Sequence, residues 1–193
     1  MATTKTPASA TERALHWTVA ATVLVLVLSG VVLYVPALSQ SVGQRFWVRS
    51  AHLAAAAVLA LVPAVFAAVR WPEVRALEGQ LSRWEPADRD WFLRPWRVLV
   101  GDAEAQLQSG RFNAGQKLFA ALVAVGLAAL LLTGIPMSWW SRFDAAVVTR
   151  SRDLHVTAAY AVVALLAGHV YLALLSPDGM HLLSRRGRST ERR

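Results

Sequence analysis

Four long apolar blocks divide an otherwise polar chain. They predict transmembrane helices over residues 15–35, 48–69, 116–135 and 154–175. A helix that spans a bilayer needs about 20 mainly apolar residues, and the tryptophans at the ends of these blocks suit the headgroup level. The pattern predicts an all-α membrane protein, in which residues 1–175 form a four-helix transmembrane bundle with a polar connection at 70–115. A basic tail at 176–193 is expected to be flexible.

The first apolar block resembles a signal peptide in its basic start. Its apolar run exceeds the roughly 7–15 residues of a signal-peptide core. It also contains His16, one of a set of intramembrane histidines. We therefore expect a retained helix.

Composition limits the chemistry. Hydrophobic residues make up 55% of the chain, and there is no cysteine. Disulfides, thiolate zinc sites, cysteine-ligated iron–sulfur clusters and covalently attached c-type haem are therefore excluded. Any redox cofactor must be held by other side chains.

The distribution of positive charge predicts the orientation. Of the 20 Lys and Arg residues, 15 lie in the N-terminal segment, the middle connection and the C-terminal tail. The positive-inside rule predicts that these three segments, and hence both termini, lie in the cytoplasm. The net charge of +8 is explained by arginines beside anionic lipid. No nucleic-acid partner is expected, because no basic stripe interleaves with aromatic residues.

Four of the five histidines lie inside or at the ends of the apolar blocks: His16, His52, His155 and His169. Ionisable residues in a membrane are functional candidates, although a neutral histidine can also simply bond a neighbouring helix. The spacing of His155 and His169 along one helix puts them on a shared face at levels separated by about 21 Å. The alternating helix directions then predict an inner pair, His16 with His169, and an outer pair, His52 with His155.

Two histidine pairs at two levels indicate two stacked b haems, each held between facing helices. Two axial imidazoles leave no open position on the iron, which favours electron transfer. The alternative, from a different class, is a His-bearing membrane transporter or proton channel.

Three arginines precede these histidines by one helical turn: Arg13, Arg49 and Arg152. A guanidinium there can bind a haem propionate. Alternatively, these arginines only extend their charge to the membrane surface.

A polar patch precedes the third apolar block at the inner level. Asn113 can bind a quinone carbonyl, and Gly115 lets a ligand near the backbone, at the level of the inner histidine pair. The alternative is a helix cap at Asn113, with Lys117 as an interfacial anchor.

Several motifs resemble the cytochrome b (gamma) subunit of respiratory formate dehydrogenases. They are RFNAGQK before the third helix, RALHW on the first, VRSAH on the second, and LH followed by HVY on the fourth. The four-histidine pattern is shared with the wider di-haem cytochrome b family of quinone-linked oxidoreductases, including hydrogenases. A cytochrome b of another dehydrogenase is therefore the second alternative.

The resemblance implies a chain that is the membrane electron-transfer component of an enzyme and does not itself oxidise formate. Its two haems would be ligated by His16, His52, His155 and His169, and its quinone site would match Asn113, Gly115 and His169. The implied partners are an iron–sulfur (beta) subunit, a molybdenum or tungsten catalytic (alpha) subunit, and menaquinone or ubiquinone as acceptor. A short tail and a long, charged segment at 71–114 depart from the family pattern and leave the partner contacts open.

Overall fold

The structure, a computed structural model, describes residues 9–94, 96 and 111–175. The tail at 176–193, with His181, lies outside the described residues. The helices are α1 (Ala10–Tyr34), α2 (Pro36–Ser41), α3 (Arg45–Val69), α4 (Trp71–Ser82), α5 (Pro86–Leu93), α6 (Ala114–Ser138) and α7 (Ala145–Leu175), with a 3₁₀ turn at Trp140–Arg142. The described part of the chain contains no β-strand.

Four of these helices, α1, α3, α6 and α7, are long and apolar enough to cross a membrane. The predicted all-α class and its four spanning helices are therefore confirmed. In the most apolar stretch of each spanning helix, at most 11% of the residues are buried. Most of the apolar side chains in the spans are therefore exposed or half-exposed, as is typical of helices in contact with lipid.

The four spans form two hairpins. The helix α1 packs mainly against α3, and α6 packs mainly against α7. The first hairpin turns through α2 and Gly43, whose φ of 64° is favourable only for a residue without a Cβ. Within the second hairpin, a Cβ on Gly126 would lie 2.6 Å from a methyl group of Val162. Gly126 therefore allows α6 and α7 to approach closely, as small residues do in membrane helix pairs.

The helices start earlier than the apolar blocks. The first begins at Ala10 because Ser9 and Glu12 form a capping box, in which each side chain bonds the other residue's backbone N–H. The fourth spanning helix starts at Ala145, well before the predicted boundary at 154. Its first nine residues, AAVVTRSRD, contain no glycine or proline and so continue the helix, whereas the predicted boundary marks only the longest apolar stretch.

The described part of the polar connection contains two further helices, α4 and α5. The second of them packs against the start of α6. Two segments that are distant in sequence therefore meet at the level of His16, where the polar patch lies.

Candidate functional site

The four intramembrane histidines form two pairs across the hairpins. The imidazole centroids of His16 and His169 are 6.2 Å apart, and those of His52 and His155 are 6.4 Å apart. The planes of the rings are inclined at 61° and 58°, respectively. The helix directions predicted this pairing of His16 with His169 and of His52 with His155, and the names inner pair and outer pair are kept for them.

The spacing within each pair suits one metal ion between two imidazoles. A metal–nitrogen bond is about 2 Å long and the nitrogen lies about 1 Å from its ring centre, so two such rings have centroids about 6 Å apart. The described residues contain no group of three or more His, Cys, Asp or Glu side chains that could hold a metal ion. A haem iron needs only two protein ligands, because the porphyrin supplies the other four.

The inner and outer histidine pairs are separated by nearly the same number of residues along three different helices. On α7 the interval runs from His155 to His169, and on α1 it runs from His16 to Ser29, which contacts His52. On α6 it runs from Phe119, which stacks on His169, to Thr133, which contacts His155. Each interval corresponds to about 20 Å of helix.

Both histidines of the outer pair are held by hydroxyl groups. The Nδ1 atom of His52 lies 2.8 Å from Ser29 Oγ, and the Nδ1 atom of His155 lies 2.9 Å from Thr133 Oγ1. Each hydroxyl also donates a hydrogen bond to the backbone carbonyl four residues earlier on its own helix. The glycines that follow, Gly30 and Gly134, lie beside Cε1 of the same rings.

The inner pair has a different environment. The ring of Phe119 stacks on His169 with a centroid distance of 4.6 Å and an interplanar angle of 10°. Trp17 meets His16 edge-on. Within the described residues, neither inner histidine has a hydroxyl partner.

The three arginines predicted near the haem edges differ in their contacts. Arg49 donates from its guanidinium to the carbonyl of Ser138 at 3.2 Å and so joins α3 to the end of α6. Arg13 and Arg152 are exposed near the ends of their helices. Their role toward propionates stays a prediction.

The start of α6 is held by the side chain of Asn113. Asn113 Oδ1 accepts from the backbone N–H of Gln116 at 2.9 Å, and Gln116 Oε1 accepts from the N–H of Asn113 at 3.0 Å. This capping box is the alternative that the sequence left open at Asn113. The cap uses only the Oδ1 atom of Asn113, so the side-chain N–H groups of Asn113 remain as the donors that a quinone carbonyl would need.

Gly115 contacts an indole ring. A Cβ on Gly115 would lie 2.6 Å from Cζ2 of Trp91, which belongs to α5. Close approach was expected at this glycine, and in the structure a tryptophan of the chain makes it.

Lys117 is not an interfacial anchor. Its Nζ lies 2.6 Å from Asp88 Oδ2, donates to the carbonyl of Arg83, and has a side chain only 5% exposed. The Asp88 carboxylate also accepts from the backbone N–H of Glu85. The ion pair and the bond to Arg83 therefore fasten α5 and the segment before it to α6.

Sequence reasoning did not single out Ser29, Thr133, Phe119 or Asp88. A signal existed for the first two, because each is a hydroxyl residue followed by glycine, inside the apolar block that precedes the one with an outer histidine. No comparable sequence signal marks Phe119 or Asp88.

Residues 8–185 match the family described as prokaryotic cytochrome b561. The chain belongs to this family. It is an integral membrane cytochrome of the b type, and membership implies haem b and a role in electron transfer. The resemblance noted from the motifs is confirmed: the chain is similar to the formate dehydrogenase, nitrate-inducible, cytochrome b556(Fdn) subunit of Escherichia coli K12 and to that of Shigella flexneri. Each is 27% identical over 169 residues, covering 84% of this chain and 74% of the relative.

Proposed function

We propose that this cytochrome b is the di-haem membrane subunit of a formate dehydrogenase, carrying electrons from an iron–sulfur subunit across the membrane to a quinone. The observation that carries the proposal is the pair of imidazole pairs, with centroids 6.2 and 6.4 Å apart and levels about 20 Å apart. Family membership and the function of the formate dehydrogenase relatives support the same conclusion.

Each histidine pair holds one haem between the two hairpins. A bound haem b supplies a one-electron iron couple. His52 and His155 would hold one haem at the outer level, and His16 and His169 would hold a second haem at the inner level. Two sites about 20 Å apart along the helices cover most of a hydrocarbon core about 30 Å thick. Electrons can then cross the membrane between the two haem sites without a conformational change of the protein.

The arginines position the haems by their propionates. Arg13, Arg49 and Arg152 each lie one turn nearer to water than a ligand histidine, where a carboxylate of the porphyrin edge can reach a guanidinium. Arg49 already lies within reach of both hairpins, because it bonds the carbonyl of Ser138.

The quinone is reduced at the inner level, beside the start of α6. Asn113 donates its amide N–H to one quinone carbonyl, Gly115 lies beside it against the ring of Trp91, and His169 links the quinone to the inner haem site. Menaquinone or ubiquinone then takes its protons from the cytoplasmic side, where the positive-inside rule predicts both termini. The partners are the iron–sulfur and the molybdenum or tungsten catalytic subunits.

The test uses the native complex, purified anaerobically with this chain. We expect formate to reduce both haems and a short-chain menaquinone analogue to reoxidise them. His52→Ala should block reduction by formate, whereas the control His181→Ala, which changes the remaining histidine, should leave it intact.

Two results would contradict the proposal in different ways. Haems that are reduced by hydrogen but not by formate would assign the chain to another dehydrogenase. A colourless chain that moves protons or metal ions would favour a channel or transporter.

A further inference from the structure

The two hydroxyls beside the outer histidines have only one proton each to donate. Ser29 Oγ donates to the carbonyl of Val25 at 2.6 Å, and Thr133 Oγ1 donates to the carbonyl of Ala129, also at 2.6 Å. A carbonyl can only accept. Each hydroxyl oxygen is therefore left as an acceptor toward the imidazole beside it.

The imidazole nitrogen must then carry the proton. Nδ1 of His52 lies 2.8 Å from Ser29 Oγ, and Nδ1 of His155 lies 2.9 Å from Thr133 Oγ1. In a neutral histidine, a proton on Nδ1 leaves the lone pair on Nε2. Both outer rings are thereby set in the one tautomer that can bind iron through Nε2.

The same bond affects how strongly the ring donates electrons. An acceptor on the far N–H raises the basicity of a metal-bound imidazole and fixes its orientation. A more basic axial ligand stabilises the ferric state more than the ferrous state, so it lowers the reduction potential of the haem.

The arrangement occurs in both hairpins and only at one level. Ser29 and Gly30 on α1 face His52, and Thr133 and Gly134 on α6 face His155. In the described part of the chain, the inner pair has aromatic neighbours instead. A structural role in helix packing alone would not require a hydroxyl at both outer histidines.

We propose that Ser29 and Thr133 are positioning residues that fix the Nδ1–H tautomer of His52 and His155 and lower the potential of the outer haem. This rests on the proposed di-haem function. The consequence is directional: the two hydroxyls make the outer haem a stronger electron donor toward the inner one.

The test is a redox titration of the purified complex, followed by optical spectra, with haem counted in every sample. Ser29→Ala and Thr133→Val should each keep two haems per chain and raise the reduction potential of the outer haem. The outer haem is identified as the spectral component that the His52→Ala variant lacks. One hydrogen bond corresponds to about a two- to tenfold change in an equilibrium. At a fixed potential, the ratio of reduced to oxidised outer haem should therefore rise by about that factor.

Two kinds of control separate positioning from packing. Ser29→Thr and Thr133→Ser keep a hydroxyl and should restore the wild-type titration. Thr22 lies on α1, donates to the carbonyl of Thr18 and has no histidine partner in the described residues. Thr22→Val therefore removes an equivalent hydroxyl and should move neither component.

Each outcome has a defined meaning. A selective loss of the outer haem in Ser29→Ala, reversed by Ser29→Thr, would also support positioning. Two bound haems with unmoved potentials in the Ser29→Ala and Thr133→Val variants would overturn this inference and leave the proposed function intact. A wild-type chain without haem would overturn both.

Discussion

Lys117 and Asp88 form an ion pair of 2.6 Å in which the two side chains are only 5% and 2% exposed. One partner lies on α6 and the other on α5, which precedes it in the chain. The pair holds the polar connection against the membrane bundle at the level of the proposed quinone site.

Lys117→Met should destabilise the protein by about 3–5 kcal/mol, because it leaves the Asp88 carboxylate buried and unpaired. Combining it with Asp88→Leu should recover most of the loss. Thermal unfolding in detergent measures both. Glu73→Gln, which removes an exposed pair with Arg70, is the control and should change stability by less than about 1 kcal/mol. A Lys117→Met variant as stable as this control would contradict the burial of the pair.

Gly115→Ala should weaken the docking of α5, because its methyl group would lie 2.6 Å from the Trp91 ring. Overpacking of this kind typically destabilises by about 1–3 kcal/mol. Unfolding in detergent should show the loss, and Trp91→Leu in the same chain should reverse it. The control is Gly79→Ala, because nothing lies within 4 Å of that added Cβ. If quinone reduction stays impaired after stability is restored, Gly115 serves the quinone as well as the packing.

Asn113 has two roles that substitutions can separate. Asn113→Ala should remove the helix cap, at about 1 kcal/mol, and also the amide donor. Asn113→Asp keeps the capping oxygen and loses only the donor. We expect both variants to retain haem and to reduce the menaquinone analogue slowly, with only Asn113→Ala less stable. Wild-type quinone kinetics in Asn113→Asp would rule out the amide as the quinone donor.

The sequence predicted the four spans and the histidine pairs because both follow from one-dimensional quantities: hydropathy, helical rise and alternating direction. The polar contacts were not predictable in this way. Lys117 looked like other cations at a membrane edge, since its partner Asp88 is brought to it only by the folding of α4 and α5. The early start of α1 could have been predicted from the Ser9–Glu12 capping signature. The early start of α7 had a weaker signal, Asp144 immediately before Ala145, because aspartate is favoured at helix N-termini.

Gly126→Ala should separate α6 from α7, because the added methyl group would meet Val162, which is only 3% exposed. A loss of about 1–3 kcal/mol is expected. Val162→Ala in the same chain should relieve it, and chemical unfolding with haem absorbance as a second signal follows both. If Gly126→Ala and the double variant are equally stable, the two helices do not meet at this glycine.

The central claim is that two histidine pairs hold two haems at two levels. The most direct measurement is the haem content per chain, with the reduced-minus-oxidised spectrum, of the wild-type protein and four single variants, His16→Ala, His52→Ala, His155→Ala and His169→Ala. We predict two b haems in the wild type and one in each variant. His52→Ala and His155→Ala should lack the same spectral component, and His16→Ala and His169→Ala should lack the other. Loss of a component shared across the pairs, or a wild-type chain with fewer than two haems, would contradict the account.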